Sequence, residues 1–154
     1  MSLLAIINSL KGNQMKDLLI KWFMSINSLL LRFSRGRLGS KLGTQTVLLL
    51  HTVGRKSGQE RTTPIAYFEY EGKYLIVASN WAKDKNADWY LNLKKDPRAK
   101  VEINGQIISV VAREAQGEEY TRLWAFATRR HPPYLKYQQM TTRHIPIMMF
   151  ERVG

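Results

Sequence analysis

The chain has 154 residues, of which 44% are hydrophobic and 23% charged, a composition that suits one folded core and excludes a disordered or fibrous polypeptide. It contains no cysteine, which removes disulfides, thiolate zinc sites, iron–sulfur clusters and a cysteine nucleophile from consideration. A formal net charge of +12 turns the surface field toward anions: polyanions, anionic lipid headgroups or phosphorylated small molecules. His51, His131 and His144 occur singly with no HExxH-type pair, so no metal site is expected.

From Met15 onward Leu18, Leu19, Trp22, Phe23, Ile26, Leu29, Leu30 and Phe33 follow the i, i+3, i+4, i+7 spacing of one helical face. Lys16, Asp17 and Lys21 interrupt this amphipathic helix, which therefore falls short of the roughly 20 predominantly apolar residues of a membrane span. The opening MSLLAIINSLKGNQ lacks a basic n-region and a small-residue cleavage site, so no signal peptide is expected and the cytoplasm is the expected compartment. Across residues 1–41, Lys11, Lys16, Lys21, Arg32, Arg35, Arg37 and Lys41 face only Asp17. That segment suits peripheral contact with an anionic inner membrane face, and packing on the sheet domain or a second subunit is the competing expectation. SRGRLGSKLG, Ser34 to Gly43, reads as a glycine-rich linker. Residues 1–43 are thus helix and linker, and residues 44–154 form the sheet domain.

TQTVLLLHTV, Thr44 to Val53, predicts a largely buried strand. The loop GRKSGQER follows it and matches neither GxxxxGK[ST] nor GxGxxG. It does collect Arg55, Lys56 and Arg61 as cations, Ser57 and Gln59 as neutral donors, and glycines that let backbone N–H groups approach an anion. A phosphate or carboxylate fits this donor set; so does an exposed hairpin tip that keeps an edge soluble. TTPIAYFEY and KYLIVASN predict a hairpin across Glu71-Gly72. In ASNWAKDKNADWYLNL, Ser79, Asn80 and Trp81 lie just beyond a strand, with Trp89, Tyr90 and Asn92 on the following helix. Rings for stacking and polar groups for edge recognition would converge there, while Trp89 and Leu93 also read as core.

AKVEI and QIISVVAREA flank Asn104-Gly105, a pair that marks a tight type I′ hairpin. GEEYTRLWAFATRRHPP predicts a helix with acids at its start and Arg129 and Arg130 at its end, both favourable to the helix dipole. Tyr134 and Tyr137, three apart, share one face of a short helix, where they either offer hydroxyls to a pocket or sit half-buried at the surface. IPIMMFERV supplies a last strand. Short strands joined by hairpins predict a mainly β (α+β) protein: an antiparallel barrel of about six strands decorated by helices. No Ser–His–Asp order or paired-carboxylate cluster stands out, so an enzyme built on this chain would rely on a cofactor.

Together, LLLHTVGRKSGQERTTPIAYFEYEGKYLIVASN, NADWYLNLKKDPRAKVEINGQ and the late Y-x-x-Y followed by IPIMMFE resemble the deazaflavin (F420)-dependent nitroreductase and quinone reductase family, from about Ser34 to Arg152. The resemblance implies a split β-barrel similar to the flavin-mononucleotide-binding barrels, with reduced F420 in a groove passing a hydride to a quinone, nitro compound or similar electron-poor acceptor. It implies that Arg55, Lys56, Ser57, Gly58, Gln59 and Arg61 hold the cofactor's phosphate and acidic tail. Pro64, Ala78, Ser79, Asn80, Trp89 and Asn92 match positions beside the ring, and Tyr134 and Tyr137 match tyrosines that border the acceptor pocket. The chain departs from the family at His131, where a tyrosine is common, and at Asn80, where a lysine is common, so acceptor preference does not carry over.

Tyr134, Tyr137, Ser79 or water held by them is the expected proton source for the reduced acceptor. The competing expectations are a barrel that binds FMN and a non-catalytic carrier of F420. A nucleic-acid binder ranks last because no RNA- or DNA-binding motif accompanies the charge. Homodimer formation is left open by the sequence.

Overall fold

The computed structural model describes residues 41–42 and 45–154; the expected helix from Met15 to Phe33 and the side chains of the basic cluster at 1–41 lie outside the described residues. The strands are β1 (Lys41–Leu42), β2 (Gln45–Val53), β3 (Glu60–Tyr70), β4 (Lys73–Val77), β5 (Arg98–Ile103), β6 (Gln106–Glu114) and β7 (Ile147–Arg152). Helices α1 (Asp88–Lys95), α2 (Gly117–Arg130) and α3 (Pro133–Met140) and a 3₁₀ turn at Asn80–Ala82 complete the described elements.

All strand pairs are antiparallel, and their order β2-β3-β4-β7-β6-β5 closes through a β2–β5 pairing into a six-stranded barrel. β1 adds to β2 outside this ring, so among the described residues strand pairing reaches back to Lys41–Leu42, inside the segment expected to be linker. The two hairpin turns follow from local chemistry. Asn104 and Gly105 have φ of 50° and 80°, and Glu71 and Gly72 have 48° and 74°, the positive values that a type I′ turn requires.

Alternation along β4 explains the apolar run Tyr74–Val77. Tyr74 and Ile76 enter the barrel interior with Leu48, Leu50, Val101 and Phe150, while Leu75 and Val77 face the other way. There they meet Leu123 and Ala127 of α2 and Tyr134 of α3. Both faces of the strand are therefore buried, and neither carries the polar positions of a solvent-facing sheet. α1 closes the barrel with Trp89, Tyr90 and Leu93.

β3 decides where the barrel opens. It pairs with β2 over Glu60–Tyr67 but with β4 only over Phe68–Tyr70, so its first two-thirds has one bonded edge. Pro64, opposite Leu49, lies in that stretch, where a residue without an N–H is tolerated. β4 also ends at Val77, earlier than the expected run through Asn80; Ala78 N–H still bonds to Pro146 O in register with β7, and the chain then enters the left-handed turn at Asn80–Ala82.

Candidate active site

Two hollows line the split beside β3. The first is a cavity of about 360 Å³ walled by Pro64, Ile65 and Val47 and by Ser79, Asn80, Trp81, Trp89, His131, Tyr134 and Tyr137. The second is a polar cleft of about 710 Å³ formed by Arg55, Lys56 and Ser57 of the β2–β3 loop, Arg61 at the start of β3 and Asn92 of α1. Thr63, Asp88 and Trp89 belong to both, so cleft and cavity form one trough.

The loop is a tight scaffold. Gly54 N–H bonds to Gln59 O and Gly58 N–H to Gly54 O, each at 2.8 Å, and Gly58 takes a left-handed φ of 71°. Gln59 N–H donates to Ser57 Oγ at 3.2 Å, and Arg61 Nη2 donates to the same oxygen at 3.4 Å. Gly58 and Gln59 thus shape the loop; neither lines the cleft, whose walls are Arg55, Lys56, Ser57 and Arg61.

Asn92 is buried, and its side chain is spent on the loop. Its Oδ1 accepts from Arg55 N–H and Arg55 Nη1, both at 3.1 Å, and its Nδ2 donates to Thr52 Oγ1 at 3.3 Å. Arg55 also reaches Asp88 Oδ1 at 3.1 Å, and Lys95 Nζ donates to Arg55 O at 2.8 Å. Asn92 therefore sits at the cationic end and clamps Arg55. Lys56 and Arg61 are the exposed cations there.

In the cavity, Tyr134 is 5% exposed and its hydroxyl oxygen accepts from Gln45 Nε2 at 3.1 Å. That bond leaves the phenolic proton free to donate. Burial, with a smaller contribution from Tyr137, pushes the Tyr134 hydroxyl up to about 12, so it is a neutral phenol at ordinary pH. Burial raises Tyr137 as well and holds the His131 imidazole below its ordinary value. His131, Tyr134 and Tyr137 form a chain of edge-on rings, with centroids 4.7 Å and 6.2 Å apart.

Ser79 to Ala82 make the opposite lip. Asn80, Trp81 and Ala82 all have left-handed φ, of 46°, 56° and 59°. For L-residues this costs about 1–2 kcal/mol each, so the turn persists only because its surroundings hold it. Ala82 N–H bonds to Ser79 O, Lys83 N–H to Asn80 O, and Asn80 Nδ2 to Lys85 O. Arg143 donates to Ser79 O at 2.7 Å, Lys83 O at 2.9 Å and Asn86 Oδ1 at 2.9 Å.

Of the residues singled out from sequence, Pro64, Ser79, Asn80, Trp89, Tyr134 and Tyr137 meet in the cavity, and Arg55, Lys56, Ser57, Arg61, Trp89 and Asn92 in the cleft. Ala78, 1% exposed, packs in the barrel core behind the cavity wall. Trp89 is both core and wall. Gln45, Thr63, Asp88 and Arg143 were not anticipated; Gln45 meets Tyr134 across 89 positions, a separation that leaves no local signal. Among the described residues no cluster of metal-ligating side chains occurs.

An anion-receptive cleft continuous with an apolar, aromatic cavity fits a ligand with a flat ring at one end and negative charge at the other. Residues 24–152 match the family model described as F420H(2)-dependent quinone reductase. An F420H(2)-dependent quinone reductase of Mycobacterium tuberculosis is 33% identical over 133 residues, covering 84% of this chain and 89% of the relative. A solved F420-H2 dependent reductase (FDR-A) is 38% identical with a TM-score of 0.62, covering 68% of this chain and 93% of that one. A second structure, described as a domain-swapped dimer, is 32% identical with a TM-score of 0.65, covering 86% and 98%.

Proposed function

The chain belongs to the F420H(2)-dependent quinone reductase family and is an F420H2-dependent oxidoreductase, and from that premise we propose that the cleft and the cavity are the two ends of one cofactor groove. The observation that carries the assignment is their continuity through Thr63, Asp88 and Trp89. When bound, reduced F420 supplies a hydride to the acceptor. Lys56, Arg61 and Ser57 hold the phosphate and acidic tail, while Asn92 and Arg55 keep the loop in the shape that presents them. Pro64 and Trp89 would flank the ring, at the stretch of β3 whose second edge is unpaired.

The quinone or nitro acceptor would occupy the part of the cavity lined by Tyr134 and Tyr137. An acceptor oxygen that gains charge after hydride arrival needs a donor, and Tyr134 Oη holds a proton that Gln45 leaves free. Tyr137 and Ser79 line the same space, and their hydroxyls would hold a water beside it. Positioning and exclusion of bulk water supply the remaining rate.

Lys56→Ala and Arg61→Ala are expected to weaken F420 binding about tenfold each, read by cofactor fluorescence, because each removes one charge-assisted contact. Unchanged affinity in both contradicts the tail assignment. Tyr134→Phe is expected to lower turnover with menadione about 100-fold at unchanged F420 affinity. Turnover equal to wild type removes Tyr134 from proton delivery. The 32%-identical domain-swapped dimer makes self-association part of the same reading, and light scattering of the purified chain tests it.

A further inference from the structure

Trp81 is the only aromatic residue among the exposed large apolar side chains of the described residues. It is 45% exposed, yet it borders the cavity rather than the outer surface alone. Its ring stands edge-on to Tyr137, with centroids 6.5 Å apart and planes at 64°. It thereby extends the row of His131, Tyr134 and Tyr137, with nearly half of its own surface exposed.

The backbone beneath it argues that this position is held. Trp81 has φ 56° and ψ 33°, in the middle of three left-handed residues, a conformation that a bulky side chain disfavours and glycine would accept freely. The bonds from Arg143 to Ser79 O, Lys83 O and Asn86 Oδ1 fasten the lip from both sides, so the turn has no slack in which to relax. Packing does not explain the tryptophan, because nearly half of it faces solvent. A strained, framed, exposed aromatic beside a cavity points to a ligand contact.

We propose that Trp81 is a specificity-determining residue of the acceptor pocket, its indole stacking on planar, electron-poor rings and selecting them over acceptors without a ring. An electron-rich indole face and an electron-poor quinone or nitroaromatic ring attract in offset stacking, beyond the area they bury. Trp81 binds and orients the acceptor and moves no proton. This inference rests on the acceptor site assigned above, and its test separates the two.

The first measurement uses the protein without cofactor: quenching of tryptophan fluorescence by menadione in wild type, Trp81→Leu and Trp81→Phe. Wild type is expected to show saturable quenching. Trp81→Phe should lose the part of the quench that Trp81 supplies while Trp89 on the same cavity wall still reports, and its acceptor affinity should stay within about twofold of wild type. Trp81→Leu should bind menadione roughly 3- to 10-fold more weakly, the loss of one stacking contact. In turnover with saturating F420H2, Trp81→Leu should raise KM for menadione by the same factor, leaving kcat, F420 affinity and KM for 1-nitropropane unchanged.

Trp81→Gly removes both ring and strain, so it should melt at or above the wild-type temperature and still show the KM rise, which excludes misfolding as the cause. An unchanged menadione KM in Trp81→Leu, an equal rise for both acceptors, or loss of F420 affinity overturns the proposal; the last would place Trp81 on the cofactor. A wild-type protein that quenches with menadione but fails to oxidise F420H2 with it counts against the assigned reaction and leaves the stacking contact standing.

Discussion

Tyr134 and Asn92 are both buried polar side chains, and their partners give them different work. Tyr134 accepts from Gln45 and keeps its proton, whereas Asn92 uses its carbonyl and amide on Arg55 and Thr52. Asn92→Ala therefore leaves Arg55 N–H and Thr52 without a partner in a buried place, at a cost of about 1–3 kcal/mol. Urea unfolding should report that loss, and F420 titration should report weakened binding with no change in menadione KM. His131 adds a pH dependence. Burial depresses its folded value below 6.5, so above that pH both folded and unfolded chains hold a neutral ring and the full stability is present. As pH falls below 6.5 the unfolded chain takes up the proton first and stability drops until the folded value is passed. The urea midpoint of His131→Gln should consequently fall less than that of wild type between pH 7.5 and 5.5. Parallel curves would show that His131 is not the group responsible. The residue types at these places were legible in sequence, as was the pairing of Tyr134 with Tyr137 on one helical face. The duties of Asn92 were not, because its partners come from β2 and from the loop after it.

Local sequence chemistry set most element boundaries. The Asn104-Gly105 and Glu71-Gly72 turns lie where positive φ is cheapest, and α2 ends at Arg130 ahead of the two prolines, as its composition implies. The β2–β3 loop shows how closely an element's shape follows one atom. A Cβ on Gly54 would stand 2.7 Å from Ser57 Oγ and 3.2 Å from Gln59 O. Gly54→Ala should push Ser57 out of its bond with Gln59 N–H and cost F420 affinity with little effect on the barrel, since the strands pair outside the loop. Fluorescence titration and thermal melting together check this: a lower melting point with unchanged affinity would place the strain in the strands instead. The left-handed turn at Asn80–Ala82 was the element least legible in sequence. No glycine marks it, and it exists because Arg143, from the segment before β7, bonds to both of its sides.

The closed barrel and its split are properties of the whole chain. A net charge of +12 draws anions toward the protein, and salt screens that attraction over about 10 Å at 0.1 M ionic strength. F420 affinity should fall roughly 5- to 10-fold between 50 mM and 500 mM NaCl, while menadione quenching stays flat because the acceptor is uncharged. Salt-independent F420 binding would mean that tail recognition rests on neutral hydrogen bonds. Sequence by itself determined most of the strands, the hairpins and the cationic loop, because turn chemistry and charge are carried by neighbouring residues. Tertiary structure alone decided that β2 closes on β5, that the edge of β3 at Pro64 is left unpaired, and that Gln45 and Thr63 complete the trough. Those facts depend on contacts between distant segments, and a spacing along the chain records none of them.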